Sequence, residues 1–377
     1  MPKSVKEPVA IVGGGIAGLA LGRALQASQQ PFLILERSLA AADAGLAIVL
    51  PGNAIDALST LGLRAQIEQL GYPFGRREYR TASDKLLCEI DEDGFWGELR
   101  RPRCIKRAAL LAMLADGVAD SAIQREAELR SAELSADRVT LRMANGKSLT
   151  ASVLVGADGV HSAVRRQMFT ASAAVKPALL AQASWRFMAP NPGVDRWTLW
   201  AGKEGMVLLV PVSQDEVYGW AAITRPQTDV SSSESLTRLI RKFPDRVRQA
   251  VMHAISGQGR LHWSPLEQVN VDPWHQGRAV LIGDAAHALA PVWAQGAALS
   301  MEDAIVLARS LGRHPDAPAA LSAFEAERRP RVAHVQAMTD AMSKAGKLPP
   351  LIRNLLLPLI GPKRYRQTYQ PLKAKIE

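Results

Sequence analysis

The sequence predicts an α/β fold in three parts: an open α/β domain, discontinuous along the chain, a mostly antiparallel sheet domain inserted into it, and a C-terminal helical segment. Three observations predict it. Apolar strand runs end in a glycine turn and lead into small-residue helices, both at the start of the chain and again after residue 277. Between 180 and 265 the strand runs WTLWAG, MVLLVPV and VYGWAAI follow one another closely. Residues 347–367 alternate apolar turns with proline, lysine and arginine. The predicted boundaries are 1–75, 101–178 and 266–345 for the first domain, 76–100 and 179–265 for the sheet domain, and 346–377 for the last segment.

The elements follow in order. VAIVG (9–13) is a buried strand, GGIAGLALGRALQAS a helix and PFLILER (31–37) a second strand. Residues 55–70 read as one helix, and another begins over Ala108–Leu114 after the basic run RPRCIKR. Residues 126–150 alternate as short strands with a hairpin turn at Asn145–Gly146, and ASVLVGADG (151–159) is a strand ending in a turn. A helix opened by a Ser231-x-x-Glu234 capping box interrupts the inserted sheet. The strand Ala279–Ile282 then leads through a loop to a helix from about Gln295.

Composition narrows the function. The chain has 377 residues, 47% hydrophobic and 22% charged, enough for a large core. Its net charge of +10 comes with no basic block, which speaks for a generally basic surface and against nucleic acid as a partner. No apolar run is long enough to span a bilayer, and MPKSVKEP does not read as a signal peptide. Cys88 and Cys104 form no framework or metal spacing, which fits a reducing cytoplasm. No GxSxG elbow supports a serine hydrolase.

The first motif, Gly13-x-Gly15-x-x-Gly18, sits between strand and helix. Its glycines allow the tight turn, the approach of a pyrophosphate and close helix packing, while the start of the helix at Ile16 and Ala17 faces the phosphates. Glu36 ends the second strand, where an acid accepts from an adenosine ribose and repels a 2′-phosphate, so this Rossmann-like unit expects FAD or NAD rather than NADP. Arg37 follows it.

Two further strand ends decide between them. LVGADGVHSAVRR (154–166) carries Asp158-Gly159, and GRAVLIGDAAHALAP carries Gly283-Asp284. With these motifs in order, the chain resembles the single-component FAD-dependent aromatic hydroxylases, the p-hydroxybenzoate hydroxylase-like (class A) flavoprotein monooxygenases. Arg107 in IKRAALLAML, GLAIVLPGNAIDALSTLGL (45–63) and FEAERRPR (324–331) match too, and the resemblance covers about 8–335, weakest over 180–265. It implies FAD as cofactor, with NADH or NADPH as a transient reductant that needs no second Rossmann unit. Asp284 suits a ribityl hydroxyl, and Gly283 lets the backbone lie close to it. The helix start after Gln295 suits the negative charge of reduced flavin, and the resemblance assigns those N–H groups to Gly296 and Ala297, Arg107 to the flavin, and Asp158 to a motif that serves both FAD and NAD(P)H. Pro291 would shape the loop beside the flavin. Relatives often read Pro-Asn-Leu-Gly-Gln-Gly here; this chain has Pro291-Val292-Trp293-Ala294-Gln295-Gly296, which places Trp293 at the substrate edge.

For substrate, Trp185-Arg186 resembles a pair that opens the substrate sheet, and Trp200, Met206, Leu208, Val210 and Trp220 lie on strands expected to cover the flavin. Such a pocket suits a planar aromatic ring. The expected activity is hydroxylation of an electron-rich aromatic or heteroaromatic molecule by O2 through a C4a-hydroperoxyflavin, as the resemblance implies. The alternatives are a same-fold reductase or epoxidase of an isoprenoid or quinone-like substrate and a non-catalytic FAD-binding redox module; the halogenase stretch WxWxIP is absent. His287 is expected to bond locally and His161 to be a turn residue. His262 and His275 stand at no metal spacing, so no metal is expected. Residues 347–367 have two readings, a helix over the cofactor domain or a weak peripheral contact with the inner membrane surface, with prolines counting against a regular amphipathic helix. The expected assembly is a monomer or homodimer.

Overall fold

A computed structural model describes residues 7–39, 46–169, 174–224 and 231–376. The first six residues of MPKSVKEP, and Gly45 of the 45–63 stretch, lie outside the described residues. The nucleotide-binding half is a six-stranded sheet. In spatial order its strands are His275–Gln276, Ala279–Leu281, Val153–Gly156, Val9–Val12, Phe32–Leu35 and Ile123–Gln124. Its centre is parallel, with Val9 opposite both Val153 and Phe32 and Leu154 opposite Ala279. The three strands that carry the glycine and acid motifs are therefore neighbours, and their C-terminal ends open on one side. That crevice beyond the strand ends is where open α/β sheets bind ligands. The helices Ile16–Ala27 and Gly296–Arg313 pack against each other. The second is buried almost all round, which explains its lack of a polar stripe.

The inserted sheet has seven strands in the order Leu261–Pro265, Ala183–Pro190, Glu216–Ile223, Gly205–Pro211, Trp197–Ala201, Arg76–Thr81 and Leu86–Asp91. Its central strands are apolar on both faces because both are covered. One face carries Trp185, Phe187, Trp200 and Val207 against the helices Ser233–Ile240 and Asp245–Ile255. The other carries Met206, Leu208, Tyr218 and Trp220 toward a large cavity.

Several local expectations shift. The 55–70 helix is two, Gly52–Thr60 and Arg64–Leu70. Gly62 adopts φ +75, and the Gly62 and Leu63 amides donate back to the Ser59 and Leu58 carbonyls at 3.0 and 2.8 Å, a Schellman stop that periodicity alone does not reveal. The Asn145–Gly146 hairpin forms, with Gly146 at φ +83. The capping residue of the inserted helix is Ser232, not Ser231; its hydroxyl accepts from the Ser235 amide at 3.2 Å. A second helix follows after Pro244, which ends the first run by excluding helical backbone before it. The helix Pro350–Tyr369 runs unbroken through Pro358 and Pro362, so the prolines do not prevent a regular helix. It packs against Leu86–Asp91 of the inserted sheet and the 30-residue helix Ala317–Gly346 rather than simply over the cofactor domain. Its Tyr365, Tyr369 and the following Leu372 belong to the main core.

Candidate active site

The glycine motif is explained by what a methyl group would meet at each position. Gly13 has φ +109, and a Cβ there would lie 2.5 Å from the Ala157 carbonyl oxygen; at Gly18 it would lie 1.9 Å from that of Gly13. At Gly15 it would meet nothing within 4 Å. The outer glycines are thus required by the protein's own packing, while the middle one faces the space a pyrophosphate would fill. Gly15, Ile16 and Ala17 line the cavity. Glu36 accepts from the amides of Gly14 at 2.7 Å and Ser38 at 2.8 Å, which holds its carboxylate beside the turn with lone pairs left for ribose hydroxyls. Arg37 is exposed and lies outside the cavity wall.

Asp284 is exposed to the cavity, and among the described residues its carboxylate accepts no hydrogen bond. Burial raises its pKa, opposed by His287, Arg107 and Arg186. A carboxylate so placed fits a ribityl hydroxyl donor. A Cβ on Gly296 would lie 3.9 Å from its Oδ1, so the acid and the start of the long helix form one corner. No side chain caps that helix, and Gly296 and Ala297 at its start line the cavity. The corner is held by two buried clamps. Gln295 and Asn53 exchange amide hydrogen bonds at 2.9 and 3.0 Å, with Asn53 also donating to Glu302 at 2.9 Å. His287 and Gly283 N both bond Asp303 Oδ2, at 2.6 and 2.9 Å, and Arg328 Nε donates to its Oδ1 at 2.8 Å. Burial works to raise the Asp303 pKa, but His287 and Arg328 outweigh it and hold it at about 2. His287 is therefore structural, with a partner on the long helix rather than in its own turn. Arg328 is the arginine of FEAERRPR that explains that stretch.

Asp158 has a different role from a direct ligand. Its carboxylate accepts from Ser162 Oγ at 2.5 Å and from the amides of Ala163 and Val164 at 2.6 and 3.2 Å, capping the helix Ala163–Met168. Its neighbours Gly159 and Val160 line the cavity instead. Arg165, buried, donates to the carbonyls of Ala285 at 2.9 Å and Val160 at 2.5 Å and ties the two acid motifs together. Neither Asn53 nor Arg165 carries a sequence signal of its function, because the contacts that join Asn53 to Gln295 and Arg165 to Ala285 span more than a hundred residues.

The cavity holds about 910 Å³. Arg107, Pro291, Trp293, Arg186, Met206, Leu208 and Trp220 all line it. Trp185 and Trp200 do not: strand alternation turns both to the helix-covered face, where Trp200 Nε1 donates to Asp84 at 2.7 Å. Val210 is buried beside the cavity-side cluster. Arg107 opens the helix Arg107–Ala115, its amide donating to the Leu46 carbonyl at 2.6 Å. Burial pulls its pKa down, and Arg186 adds to that. Among the described residues the guanidinium groups of Arg107 and Arg186 are neither hydrogen-bonded nor ion-paired to the protein. Tyr218, which the sequence reading passes over, also lines the cavity; burial pushes its hydroxyl up to about 12, against the pull of Arg186. Trp293 is buried, its carbonyl accepts from the Tyr369 hydroxyl at 2.6 Å, and the two rings meet edge to face at 5.8 Å. The next residue, Ala294, sits at φ +54, a conformation that favours glycine over a residue with a Cβ.

His161 bridges Glu267 at 3.2 Å at the mouth, and His275 bonds Glu325 at 2.6 Å. Among the described residues no group of three His, Cys, Asp or Glu side chains is placed to hold a metal.

A turn with an open middle glycine, an unpartnered acid beside a bare helix start and an adjoining apolar chamber define a dinucleotide cofactor site joined to a substrate site, as in flavin enzymes. A family model described as FAD binding domain matches residues 6–339, and the chain belongs to this family, that of the FAD-dependent aromatic hydroxylases. Its cofactor is FAD, and it is an NAD(P)H-dependent monooxygenase. Aurachin C monooxygenase/isomerase of Stigmatella aurantiaca is 31% identical over 331 residues, covering 85% of this chain and 84% of that one. A 3-amino-4-hydroxybenzoate 2-monooxygenase of Streptomyces platensis is 31% identical, covering 87% and 85%. The 2-heptyl-3-hydroxy-4(1H)-quinolone synthase of Pseudomonas aeruginosa is 27% identical over 97% of both chains. The fold matches that of Klebsiella pneumoniae HpxO complexed with FAD and uric acid at TM-score 0.86, with 23% identity and 98% of both chains covered.

Proposed function

We propose that the substrate is a heteroaromatic ring that bears both an acidic ring oxygen and an apolar arm, of the alkylquinolone type. The observation that carries this is the asymmetry of the cavity. Arg186 and Tyr218 supply polar groups with no protein partner among the described residues, and Arg186 lies close enough to Tyr218, Asp284 and Arg107 to influence each electrostatically. The wall also carries Met206, Met338, Met342, Leu356 and Leu357, with Arg353 and Arg364 on the same helix as the two leucines, and a Cβ on Gly346 would lie 3.8 Å from Leu180 and Met206. A small polar acid would leave this apolar space unfilled. The aurachin and heptylquinolone relatives support the same reading. So does the 97% coverage of the second, which takes in most of the cavity-lining C-terminal helix, beyond the family match.

FAD held by the Gly13–Gly18 turn, Asp284 and the Gly296–Ala297 helix start would supply the activation of O2 at the expense of NAD(P)H. The protein does the rest. Arg186 pairs with the ring oxyanion, and Tyr218 remains a neutral hydrogen-bond donor at physiological pH. The charge held on the ring raises its electron density toward an electrophilic oxygen. Gly296 and Ala297 amides, with the positive end of their helix, favour negative charge at the flavin's pyrimidine edge. The apolar walls exclude water that would waste reducing equivalents. We place the enzyme in the cytoplasm, a reading supported by Cys88 and Cys104, both buried as free thiols.

The test is oxidation of NADH and NADPH by the FAD-loaded enzyme, with labelled dioxygen traced into product. A 2-alkyl-4(1H)-quinolone is expected to exceed the unsubstituted quinolone in kcat/KM by roughly tenfold or more, the scale of a few buried methylenes. Preference for hydroxybenzoates, or no substrate-stimulated oxidation by any alkylated ring, refutes the substrate class.

A further inference from the structure

The helix Pro350–Tyr369 has two faces with different occupants. Its inner face, including Leu356, Leu357 and Gly361, lines the cavity. Its outer face is bare: Leu351 is 87% exposed, Leu355 70% and Leu359 73%, with Ile352 and Ile360 beside them at 47% and 39%. The three leucines stand at i, i+4 and i+8 and so form one continuous ridge along the helix. Exposed leucines scattered singly need no explanation, but a contiguous row does. The charge along its own segment is of one sign, although the strand Leu86–Asp91 packed against it carries Glu89 and Asp91. Every charged residue between Asp340 and Glu377 is lysine or arginine, and Lys344, Lys347, Lys363 and Arg366 are exposed around the ends of the ridge. Among the described residues no helix is long and apolar enough to cross a membrane.

We propose that this ridge docks the enzyme on an anionic phospholipid bilayer, with the leucines entering the headgroup–acyl boundary and the lysines and arginines pairing with lipid phosphates. A protein partner would have to match both a leucine ridge and a basic border; an anionic bilayer satisfies both at once. Ile360 belongs both to the outer surface and to the cavity wall, and Arg364 lines the cavity one turn further on. The docked helix therefore sets the cavity wall against the lipid. An apolar molecule dissolved in the bilayer gains a short path into the cavity without crossing bulk water. The docking stands on surface residues and does not depend on the alkylquinolone reading.

The test is flotation of the FAD-loaded enzyme with phosphatidylglycerol–phosphatidylcholine vesicles and with phosphatidylcholine vesicles alone. The enzyme is expected to float with the anionic vesicles at least about tenfold more than with the neutral ones, and to lose most of that in high salt. Leu355→Glu/Leu359→Glu, at positions outside the cavity wall, is expected to keep its bound FAD and thermal transition while flotation drops at least about tenfold, the scale of losing two buried leucines. Lys347→Glu/Lys363→Glu should weaken binding to anionic vesicles only. Wild-type enzyme that stays with the soluble fraction, or a leucine variant that floats as well as wild type, overturns the proposal. So does a leucine variant that changes only oligomeric state, which assigns the ridge to a second copy of the chain. Because flotation needs no substrate, its failure leaves the substrate reading standing, and failure of alkylquinolone turnover leaves the docking standing.

Discussion

Replacing Asp303 with asparagine keeps the shape of the side chain and removes its charge. The carboxylate serves three donors: Gly283 N at 2.9 Å, His287 at 2.6 Å and Arg328 at 2.8 Å. Burial would raise its pKa, yet His287 and Arg328 hold it at about 2 against an ordinary 3.8. That depression corresponds to roughly 2 kcal/mol of preference for the anion in the folded state. Arg328 keeps Glu302 at 2.9 Å, so it does not become a lone buried charge. The expected loss is therefore about 3 kcal/mol, at the low end for breaking a buried ion pair. In a chain of this size that lowers Tm by roughly 4 °C. Because the folded pKa is depressed, the stabilisation is fully present above about 4 and is lost as pH falls toward about 2. Asp303→Asn should lack that acid-dependent component. It should also weaken FAD binding, since a single amide oxygen cannot serve Gly283, His287 and Arg328 where two carboxylate oxygens did, and the ribityl corner is less firmly fixed. Thermal unfolding of the apoprotein and holoprotein across this pH range, with FAD titration, reads all three effects. A variant with wild-type Tm, wild-type acid dependence and unchanged FAD affinity would refute the clamp.

Other outcomes follow from the same geometry. Trp293→Ala should retain FAD and divert reducing equivalents to hydrogen peroxide or change substrate range, read as product formed per NAD(P)H oxidised; unchanged coupling and range removes Trp293 from the pocket. Ala294→Gly should raise Tm or leave it level, because a residue with a Cβ at φ +54 costs about 1 kcal/mol that the more flexible unfolded glycine chain partly offsets; a clear drop in Tm would show that no strain is stored there. Arg186→Met should raise KM for a substrate with an acidic ring oxygen by roughly tenfold or more while bound FAD stays stoichiometric, the scale of a lost charge-assisted hydrogen bond. Tyr369→Phe removes the hydrogen bond to the Trp293 carbonyl, and should cost about 1 kcal/mol of stability together with some coupling efficiency; stability loss with coupling intact would limit Tyr369 to packing.

Sequence by itself determined the cofactor half. Gly13 and Gly283 are set by their positive φ and Gly18 by the Gly13 carbonyl of its own turn, so residue type at fixed spacing carries the information. Asp284 and the small-residue helix start are legible for the same reason. The tertiary structure alone decided the substrate half. Strands 183–223 are apolar on both faces because both are covered, so alternation could not show that Met206 and Trp220 face the cavity while Trp185 and Trp200 face the helices. Asp158 kept the motif's residue type but spends its oxygens on a helix cap that only coordinates display. Asn53 and Gln295, and likewise Trp293 and Tyr369, meet across wide gaps in sequence, where neither spacing nor periodicity links them. Local steric demands are written in neighbouring residues, whereas the facing of a doubly covered strand and the meeting of distant side chains exist only once the chain has folded.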